Sequence, residues 1–398
     1  FESTTVECAG ELVVANQCAG FVEFALQFVG VSLFSFRDFI PAEYLVEEGY
    51  NVFNATEYQK RLPFSYNVCY AESQDGLTWD RPILGLVEFH GSNQNNCIRM
   101  GTDKTQNVDV CLNPEPKRWP GNFLAIHNQK GGVFVTWSED GKAFTRLMET
   151  PAIPYHSDTH NNFVYDEVRD RWLLYCRNRA YAGYHKRRVS LQTSSDLKTW
   201  SHEKTILIPT ETEIPEYYGM TVFRRGDLFL GMVQVYETKG GLMHGELAWS
   251  GDGEHWEFLP SHPRFLTLGP PGSFDAGMVL PFESPVLVGE EWRFYYGGFN
   301  QNHNAKHDEN QGVIALMTAE RDRLLGVRPN SDQPGVIMTR PLLIDGRQLT
   351  VNATVTGKLT AELRTDGNKP VPGFTFADSQ PITSSGFAQP VTWKSGGL

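Results

Sequence analysis

The heptapeptide Ser73-Gln74-Asp75-Gly76-Leu77-Thr78-Trp79 is the strongest indication of the fold, because the chain repeats its pattern. Copies of Ser-x-Asp-(Gly)-x-x-aromatic begin at Ser138, Ser194 and Ser250, and a weaker copy without the glycine or the aromatic begins at Thr318. Successive copies lie 56 to 68 residues apart. One Asp-Gly turn is common in proteins, whereas four such turns at similar spacing are typical of a repeat architecture.

Each full copy follows a run of residues with strand character, at 67–71, 132–136, 188–192 and 245–249. Asp-Gly is a hairpin signal, because glycine accepts a positive φ and aspartate caps its own turn. Each unit is therefore predicted to be a small antiparallel sheet, with the repeated turn joining its last two strands on the outer rim. Five such units predict an all-β, five-bladed β-propeller over residues 20–335.

The two ends of the chain differ from the repeats. Residues 336–398 contain short alternating runs separated by Asp345-Gly346 and Asp366-Gly367, which predict an accessory β domain resembling a β-sandwich. Residues 1–19 form an N-terminal segment that the pattern does not assign, and the apolar stretch from Phe21 to Phe36 favours a buried strand pair. No 15-residue window keeps a helical period free of glycine and proline, so long helices are not expected.

Charge and composition exclude several function classes. The chain has 398 residues, with 35 Lys and Arg against 47 Asp and Glu, for a formal charge of −12. This balance argues against nucleic acid and against an anionic membrane surface as partners, since both need a basic face. No run of 18 apolar residues occurs, so no membrane-spanning segment is expected. The sequence does not specify an oligomeric state.

The cysteines and two glycosylation sequons bear on localisation. None of the six cysteines lies in a Cys-x-x-Cys pair, and six cysteines allow 15 pairings. Short loops favour Cys8 with Cys18 and Cys97 with Cys111. With the sequons at Asn54 and Asn352, the acidic, aromatic-rich chain is expected to be secreted or periplasmic, where disulfides persist. A chain that begins at Phe1 also suggests a processed or trimmed N-terminus.

Candidate site residues are acids placed early in each blade, because the innermost strands of a propeller converge on a central funnel. Asp158 lies in a polar run before a strand, and Glu216 directly precedes an apolar strand. Asp275 and Glu283 lie at opposite ends of what reads as one strand. The expected catalytic residues are Asp158, Glu216 and Asp275, and the expected substrate-binding residues are His160, Asn161, Arg177, Tyr218, Glu283 and Asn300.

Structural explanations compete with this interpretation. An isolated aspartate before a strand usually caps a turn, and His160 could be a satisfied structural histidine. Glu283, close to Pro285, could only end a strand. His156, Asp158 and His160 could hold a metal, yet alternate positions on a strand equally form a polar face. The recurrence of an acid at the same phase of three successive repeats favours sugar chemistry, with no metal and no cofactor.

The blade pattern resembles bacterial five-bladed proteins related to glycoside hydrolase families 32 and 43, of the β-fructosidase and arabinanase type. The resemblance rests on residues 158–161, 216–220 and 269–278, and on the tail at Asn352, 372–374 and 378–383. It covers about residues 65–398. It implies a five-bladed propeller with a β-sandwich, acting on a carbohydrate substrate.

The function predicted from these residues is cleavage of a plant or algal glycan by two carboxyl groups, one as acid and one as nucleophile or base. Glu216 is the expected proton donor, because Tyr217, Tyr218 and Met220 could desolvate it and raise its pKa. Asp158 is expected to act as stabiliser or base, with His160, Asn161 and Arg177 holding sugar hydroxyls. By analogy with the related families, Asp275 or, in its place, Glu283 would orient the donor. Sugar rings are expected to stack on the aromatic side chains Tyr218, Trp172 and Phe299.

Two other functions remain open. A Trp-Met-Asn-Asp-Pro-Asn-Gly-like nucleophile motif is missing, which favours a non-catalytic, lectin-like propeller. A sialidase shares the Ser-x-Asp-Gly-x-x-Trp turn, but it needs three arginines for the substrate carboxylate, and only Arg177 is well placed in the sequence. Turnover of a glycan panel separates the hydrolase from the lectin.

Overall fold

The computed structural model describes residues 8–13, 34–37, 66–88, 91–101, 105–177, 186–209, 215–281, 284–305, 312–329, 334–339 and 348–397. Within these ranges all regular structure is β-strand. They accordingly contain no helix that could cross a membrane.

The strands of this part of the chain are numbered in chain order. They are β1 (Cys8–Val13), β2 (Phe34–Arg37), β3 (Tyr66–Cys69), β4 (Arg99–Met100), β5 (Gln106–Leu112), β6 (Phe123–Gln129), β7 (Gly132–Ser138), β8 (Ala143–Arg146), β9 (Asn162–Asp166), β10 (Arg171–Arg177), β11 (Val189–Ser194), β12 (Lys204–Leu207), β13 (Glu216–Arg225), β14 (Leu228–Glu237), β15 (Leu242–Ser250), β16 (Glu257–Phe258), β17 (Arg264–Leu266), β18 (Met278–Pro281), β19 (Val286–Val288), β20 (Glu291–Phe299), β21 (Gly312–Glu320), β22 (Leu349–Leu359) and β23 (Gly386–Val391).

Successive strands pair into antiparallel sheets that follow one another along the chain. The first blade contains β2 and β3, the second β5 to β8 with the short β4 pairing β8 in parallel, and the third β9 to β12. The fourth blade contains β13 to β15 with β16 and β17 beside β15, and the fifth contains β18, β20 and β21, with β19 pairing β20. One parallel pair, Met243 with Met278, connects the fourth sheet to the fifth. The predicted all-β propeller is confirmed.

The repeated turns have one geometry. The serine hydroxyl accepts a hydrogen bond from the backbone N–H three residues later, at 2.7–3.0 Å. The aspartate Oδ1 accepts from the N–H groups two and three residues later, at 2.7–3.0 Å. The residue after the aspartate has a φ of +63° to +76° in all four turns, and this residue is Gly76, Gly141, Leu197 or Gly253. A left-handed backbone therefore explains the glycine of the motif.

Leu197 is the exception that the sequence pattern left unexplained. A leucine with φ +63° is strained, but its side chain is fully buried in the core between the second and third blades. The indole of Trp200 also donates to the Leu197 carbonyl at 3.2 Å, as the indole of Trp256 does to Gly253. Packing thus stabilises a conformation that the backbone alone would disfavour.

Alternation along one strand explains how neighbouring blades share their cores. Trp172 and Leu174 on β10 pack against the second blade, whereas Leu173 and Tyr175 pack against the fourth. Successive side chains of a strand point to opposite faces, so a blade between two others is apolar on both faces. Trp172 is 1% exposed, so the expectation that it stacks on a sugar ring is wrong.

Side-chain hydrogen bonds also join the inner strands across blade boundaries. Asp109 on β5 accepts from the Asn162 amide and from the following N–H, both at 2.8 Å. Asn162 on β9 in turn accepts from the backbone N–H of Val222 at 2.8 Å. The Thr221 hydroxyl on β13 donates to the Pro281 carbonyl on β18 at 3.1 Å. These contacts fix the relative register of four inner strands, which carry the candidate site at one end.

The chain divides into two compact units, one of residues 25–285 and 294–317, the other of residues 1–24, 286–293 and 318–398. The boundaries predicted from the repeats, at 20 and 335, stay predictions. The second unit contains a three-stranded sheet in the order β1, β22, β23. Asn352 on β22 is 5% exposed and accepts a hydrogen bond from the Ala388 N–H at 2.7 Å. This sequon is therefore inaccessible in the folded chain, and Asn54 lies outside the described residues.

The cysteine pairing Cys97–Cys111 expected from the short loop is wrong. Neither residue is in a disulfide in this structure, nor are Cys69 and Cys176. Cys97 instead lies opposite Cys69, with 3.9 Å between their Sγ atoms. The short loop between Cys97 and Cys111 suggested that they pair, whereas strand pairing places Cys97 next to Cys69. The other expected pair involves Cys18, which lies outside the described residues.

Candidate active site

The candidate site lies at the end of the blades where β9, β13 and β18 begin. Asp158 precedes β9, Glu216 is the first residue of β13, and Asp275 precedes β18. Since the neighbouring strands run antiparallel, β10 and β14 finish at this same end. Arg177 is the last residue of β10, so the third blade contributes both a carboxylate and a guanidinium group here.

Asp158 is an exposed carboxylate above a buried arginine. Its Oδ2 lies 3.5 Å from Arg177 Nη1, and the two side chains are 75% and 5% exposed. The Arg177 guanidinium also donates to the Tyr218 carbonyl at 2.8 Å and lies 4.5 Å from the centre of the Tyr218 ring. The arginine is therefore held firmly, while Asp158 remains free to contact a ligand.

The third and fourth blades meet closely beside Asp158. The Thr159 hydroxyl donates to the Tyr218 carbonyl at 2.7 Å. A Cβ at Gly219 would lie 2.5 Å from the Thr159 hydroxyl oxygen and 3.0 Å from the Gln234 side-chain oxygen. Gly219 is thus required for this close approach, which explains the glycine after the two tyrosines.

Glu216 contacts an arginine that sequence reasoning missed. Arg187 Nη1 lies 2.7 Å from Glu216 Oε2, and the Arg187 backbone N–H donates to the same oxygen at 3.3 Å. The Glu216 side chain is 11% exposed. Arg187 precedes β11, and its guanidinium lies 5.1 Å from the Tyr218 ring centre and 5.2 Å from that of Tyr236. Asp158 and Glu216 are therefore each paired with an arginine that packs on the Tyr218 ring.

His303 completes this cluster from the fifth blade. The Tyr218 hydroxyl and His303 Nε2 are 3.1 Å apart, and the His303 ring packs against Tyr236 at 4.9 Å between centroids. Burial lowers the pKa of His303, and the charges of Arg187 and Arg177 lower it further. The charge of Asp158 acts in the opposite direction but does not outweigh these effects. The imidazole is therefore neutral at pH 7 and can exchange a hydrogen bond with a hydroxyl group.

Asp275 is held within the fifth blade. It is 9% exposed and accepts hydrogen bonds from the Ser273 hydroxyl at 2.7 Å and the Tyr296 hydroxyl at 3.1 Å. A Cβ at Gly298 would lie 2.8 Å from the Phe274 ring and 3.0 Å from the Asp275 Cβ. Asp275 is thus fixed at the predicted end of its blade, by partners that belong to that blade.

The remaining predicted residues are distributed unevenly around the cluster. His160 is buried, and burial lowers its pKa to about 4, so it is a neutral interior histidine. The Asn161 side chain is fully buried, and neither polar atom of its amide has a hydrogen-bond partner in the described structure. Asn300 is half-buried just after β20. Glu283 lies outside the described residues.

The described residues contain no group of three or more His, Cys, Asp and Glu arranged to hold a metal ion. The candidate acids are accompanied instead by arginine and tyrosine. Guanidinium groups bind carboxylates and hydroxyls, and tyrosine rings stack on sugars. The site is chemically suited to a polar organic ligand that presents many hydroxyl groups.

Sequence reasoning missed Arg187, His303 and Tyr236. Arg187 lies in the basic run Lys186-Arg187-Arg188, which could have drawn attention before β11. His303 and Tyr236 lie on other blades and carry no local signal, because only the packing of blades brings them to Tyr218.

Comparisons with known proteins concern the fold. No protein-family model matches the sequence, and no curated protein matches it either. Among solved structures, an N-acetylgalactosamine deacetylase from F. plautii, in complex with blood group B trisaccharide, is similar at 17% identity and a TM-score of 0.47. That match covers 80% of this chain and 96% of the other.

Two further structures are similar to about the same degree. An endo-1,4-β-xylanase from Bacteroides thetaiotaomicron matches at 10% identity, and a thermostable family-43 glycoside hydrolase matches at 14%. Each has a TM-score of 0.45 and covers 69% of this chain and 89% of its own.

Proposed function

We propose that the chain is a glycoside hydrolase that cleaves a plant or algal oligo- or polysaccharide in the propeller funnel. The observation that carries this proposal is that Asp158 and Glu216, from different blades, each pair with an arginine that packs on the Tyr218 ring. Glycoside hydrolysis needs two carboxyl groups flanking the scissile bond. An aromatic ring beside them gives the sugar a stacking surface.

Each acid has a role in this proposal. Asp158 acts as the base or stabiliser, because it is the most exposed of the three and can reach a water molecule or the sugar. Glu216 is the proton donor, and its contact with Arg187 holds it in place before substrate binds. Asp275 orients the substrate and the donor, with its own position fixed by Ser273 and Tyr296.

The contact with Arg187 determines which oxygen of Glu216 can donate. Glu216 Oε2 accepts the guanidinium hydrogen bond at 2.7 Å. A protonated carboxyl group has one O–H donor and keeps an acceptor oxygen, so Oε1 would carry the proton that passes to the glycosidic oxygen while Oε2 stays bonded to Arg187.

A sialidase-like hydrolysis of an acidic sugar is the second candidate. Sequence reasoning found one suitable arginine, whereas Arg177 and Arg187 both lie against the Tyr218 ring. Paired guanidinium groups are suited to a sugar carboxylate. This candidate differs from the first in requiring a charged substrate.

The test is to incubate the protein with fructans, arabinans, algal oligosaccharides and sialylated or uronate-containing glycans. Released sugar is measured by anion-exchange chromatography, and binding by calorimetry. Release from a neutral glycan supports the first candidate, and release only from an acidic glycan supports the second. Binding without release from any member of the panel would identify a lectin-like propeller and overturn both.

We also propose that the protein works outside the cytoplasm, as expected for an enzyme on polymeric glycans. Immunodetection in medium, periplasmic and cytosolic fractions of the source cells tests this. Recovery in the cytosolic fraction alone would contradict it.

A further inference from the structure

Cys69 and Cys97 occupy a position where two strands can be bridged covalently. Cys69 ends β3, and Cys97 forms an isolated antiparallel bridge with it. The flanking backbone hydrogen bonds are made by the N–H groups of Tyr70, at 2.8 Å, and Ile98, at 2.9 Å. Cys69 and Cys97 are thus a non-hydrogen-bonded pair, for which Cα atoms are about 4.5 Å apart. That distance is within the range that disulfides accept.

The two thiols already interact. Their Sγ atoms are 3.9 Å apart, and the hydrogen bond from Cys69 lowers the pKa of the Cys97 thiol while that of Cys69 is raised. A thiol with a lowered pKa forms the attacking thiolate more readily. Cys176 is a contrast, because burial raises its pKa to about 12 and leaves it unreactive.

The segment between these cysteines joins the first blade to the last. The Tyr295 hydroxyl, on β20, donates to the Gly76 carbonyl at 2.8 Å. Trp79 packs edge-to-face on the Tyr295 ring, with centroids 5.5 Å apart. Gly76 and Trp79 belong to the first repeated turn. These contacts lie in the segment between Cys69 and Cys97, which are 28 residues apart in the sequence.

We propose that Cys69 and Cys97 form a disulfide in an oxidising compartment, and that this disulfide anchors the segment closing the propeller between its first and fifth blades. The oxidant is a small disulfide such as oxidised glutathione. The Cys97 thiolate attacks one glutathione sulfur and expels a glutathione thiolate. The Cys69 sulfur then attacks the Cys97 sulfur of the mixed disulfide and expels the second. Overall, the S–S bond of oxidised glutathione is broken and the Cys69–Cys97 S–S bond is formed. The two protein thiols lose two protons and two electrons, which the two released glutathione molecules take up.

Peptide mapping tests the linkage directly. The full chain is refolded with oxidised and reduced glutathione, denatured in iodoacetamide and digested with trypsin and a glutamate-specific protease. Cleavage after Glu72, Glu88 and Arg99 places the two cysteines in separate peptides. A reducible pair containing Cys69 and Cys97 is expected. Full alkylation of both, or linkage of either to another cysteine, would overturn the proposal.

The stability of the full chain tests the role of the linkage. Closing a loop of this length is expected to raise the melting temperature of the oxidised protein by on the order of 5–10 °C over the reduced protein. The double variant Cys69→Ala/Cys97→Ala should lose this difference, and the matched variant Cys111→Ala/Cys176→Ala should keep it. An equal difference in both variants would refute the anchoring role. Should a variant not fold, the wild-type peptide map decides the linkage alone.

Discussion

Replacing Asp109 by alanine should weaken the centre of the propeller. The Asp109 carboxylate is 3% exposed, and its Oδ2 accepts from the Asn162 amide and the Phe163 N–H, both at 2.8 Å. Alanine would leave both donors buried without this acceptor, and an unsatisfied buried donor costs about 1–3 kcal/mol. The expected loss for the two donors is therefore about 2–6 kcal/mol, a large share of the roughly 5–15 kcal/mol typical of a folded domain.

Urea denaturation followed by tryptophan fluorescence measures this loss. Asp109→Asn is the matched comparison, because it keeps one acceptor oxygen at nearly the same volume and should lose less. Asp75→Ala removes an aspartate that also accepts two backbone N–H groups, but on the exposed rim, and it should cost less than Asp109→Ala. If the free energy of unfolding falls by less than about 1 kcal/mol in Asp109→Ala, with an unchanged denaturant slope, the Asp109 hydrogen bonds do not stabilise the propeller as expected.

Three further outcomes are expected. Burial lowers the pKa of His127 to about 3, so below pH 6.5 the unfolded chain binds a proton that the folded chain does not. The free energy of unfolding should therefore fall by about 2 kcal/mol from pH 7 to pH 5 because of this group. In urea titrations, His127→Leu should lack this part of the pH dependence. Leu197→Gly relieves a left-handed leucine but empties a fully buried position, so calorimetry should show a net loss of about 2 kcal/mol or more, and a gain would contradict the packing argument. Gly298→Ala should displace Asp275 and lower glycan turnover about 10-fold. The control Gly251→Ala, at a position with open space around it, should keep the wild-type rate. Equal turnover rates of the two variants would argue against a role for Asp275.

The sequence predicts the propeller because its decisive signals are local. In these turns the serine accepts from the N–H of the glycine three residues later, so the spacing of the motif reports the number of blades without knowledge of the packing. Leu197 shows the limit of that rule. A buried side chain stabilises its left-handed backbone, and burial between two blades cannot be read from a heptapeptide.

Contacts between blades are the part that the sequence did not predict. The acids Asp158 and Glu216 were found because each precedes an apolar strand, but their arginine partners differ in origin. Arg177 ends the strand beside Asp158, whereas Arg187 reaches Glu216 from 29 residues away. Trp172 was misassigned for the same reason, since a core residue and a sugar-stacking residue look alike until the neighbouring blade is placed.

Carboxylates at the funnel end of the blades are proposed to cleave a glycan. The most direct measurement is kcat/KM of Glu216→Gln and Asp158→Asn on a glycan that the wild-type protein turns over. Both amides keep the side-chain shape, so folding is checked by an unchanged melting temperature. We expect kcat/KM to fall at least about 100-fold in each variant. Wild-type activity in both variants would contradict it.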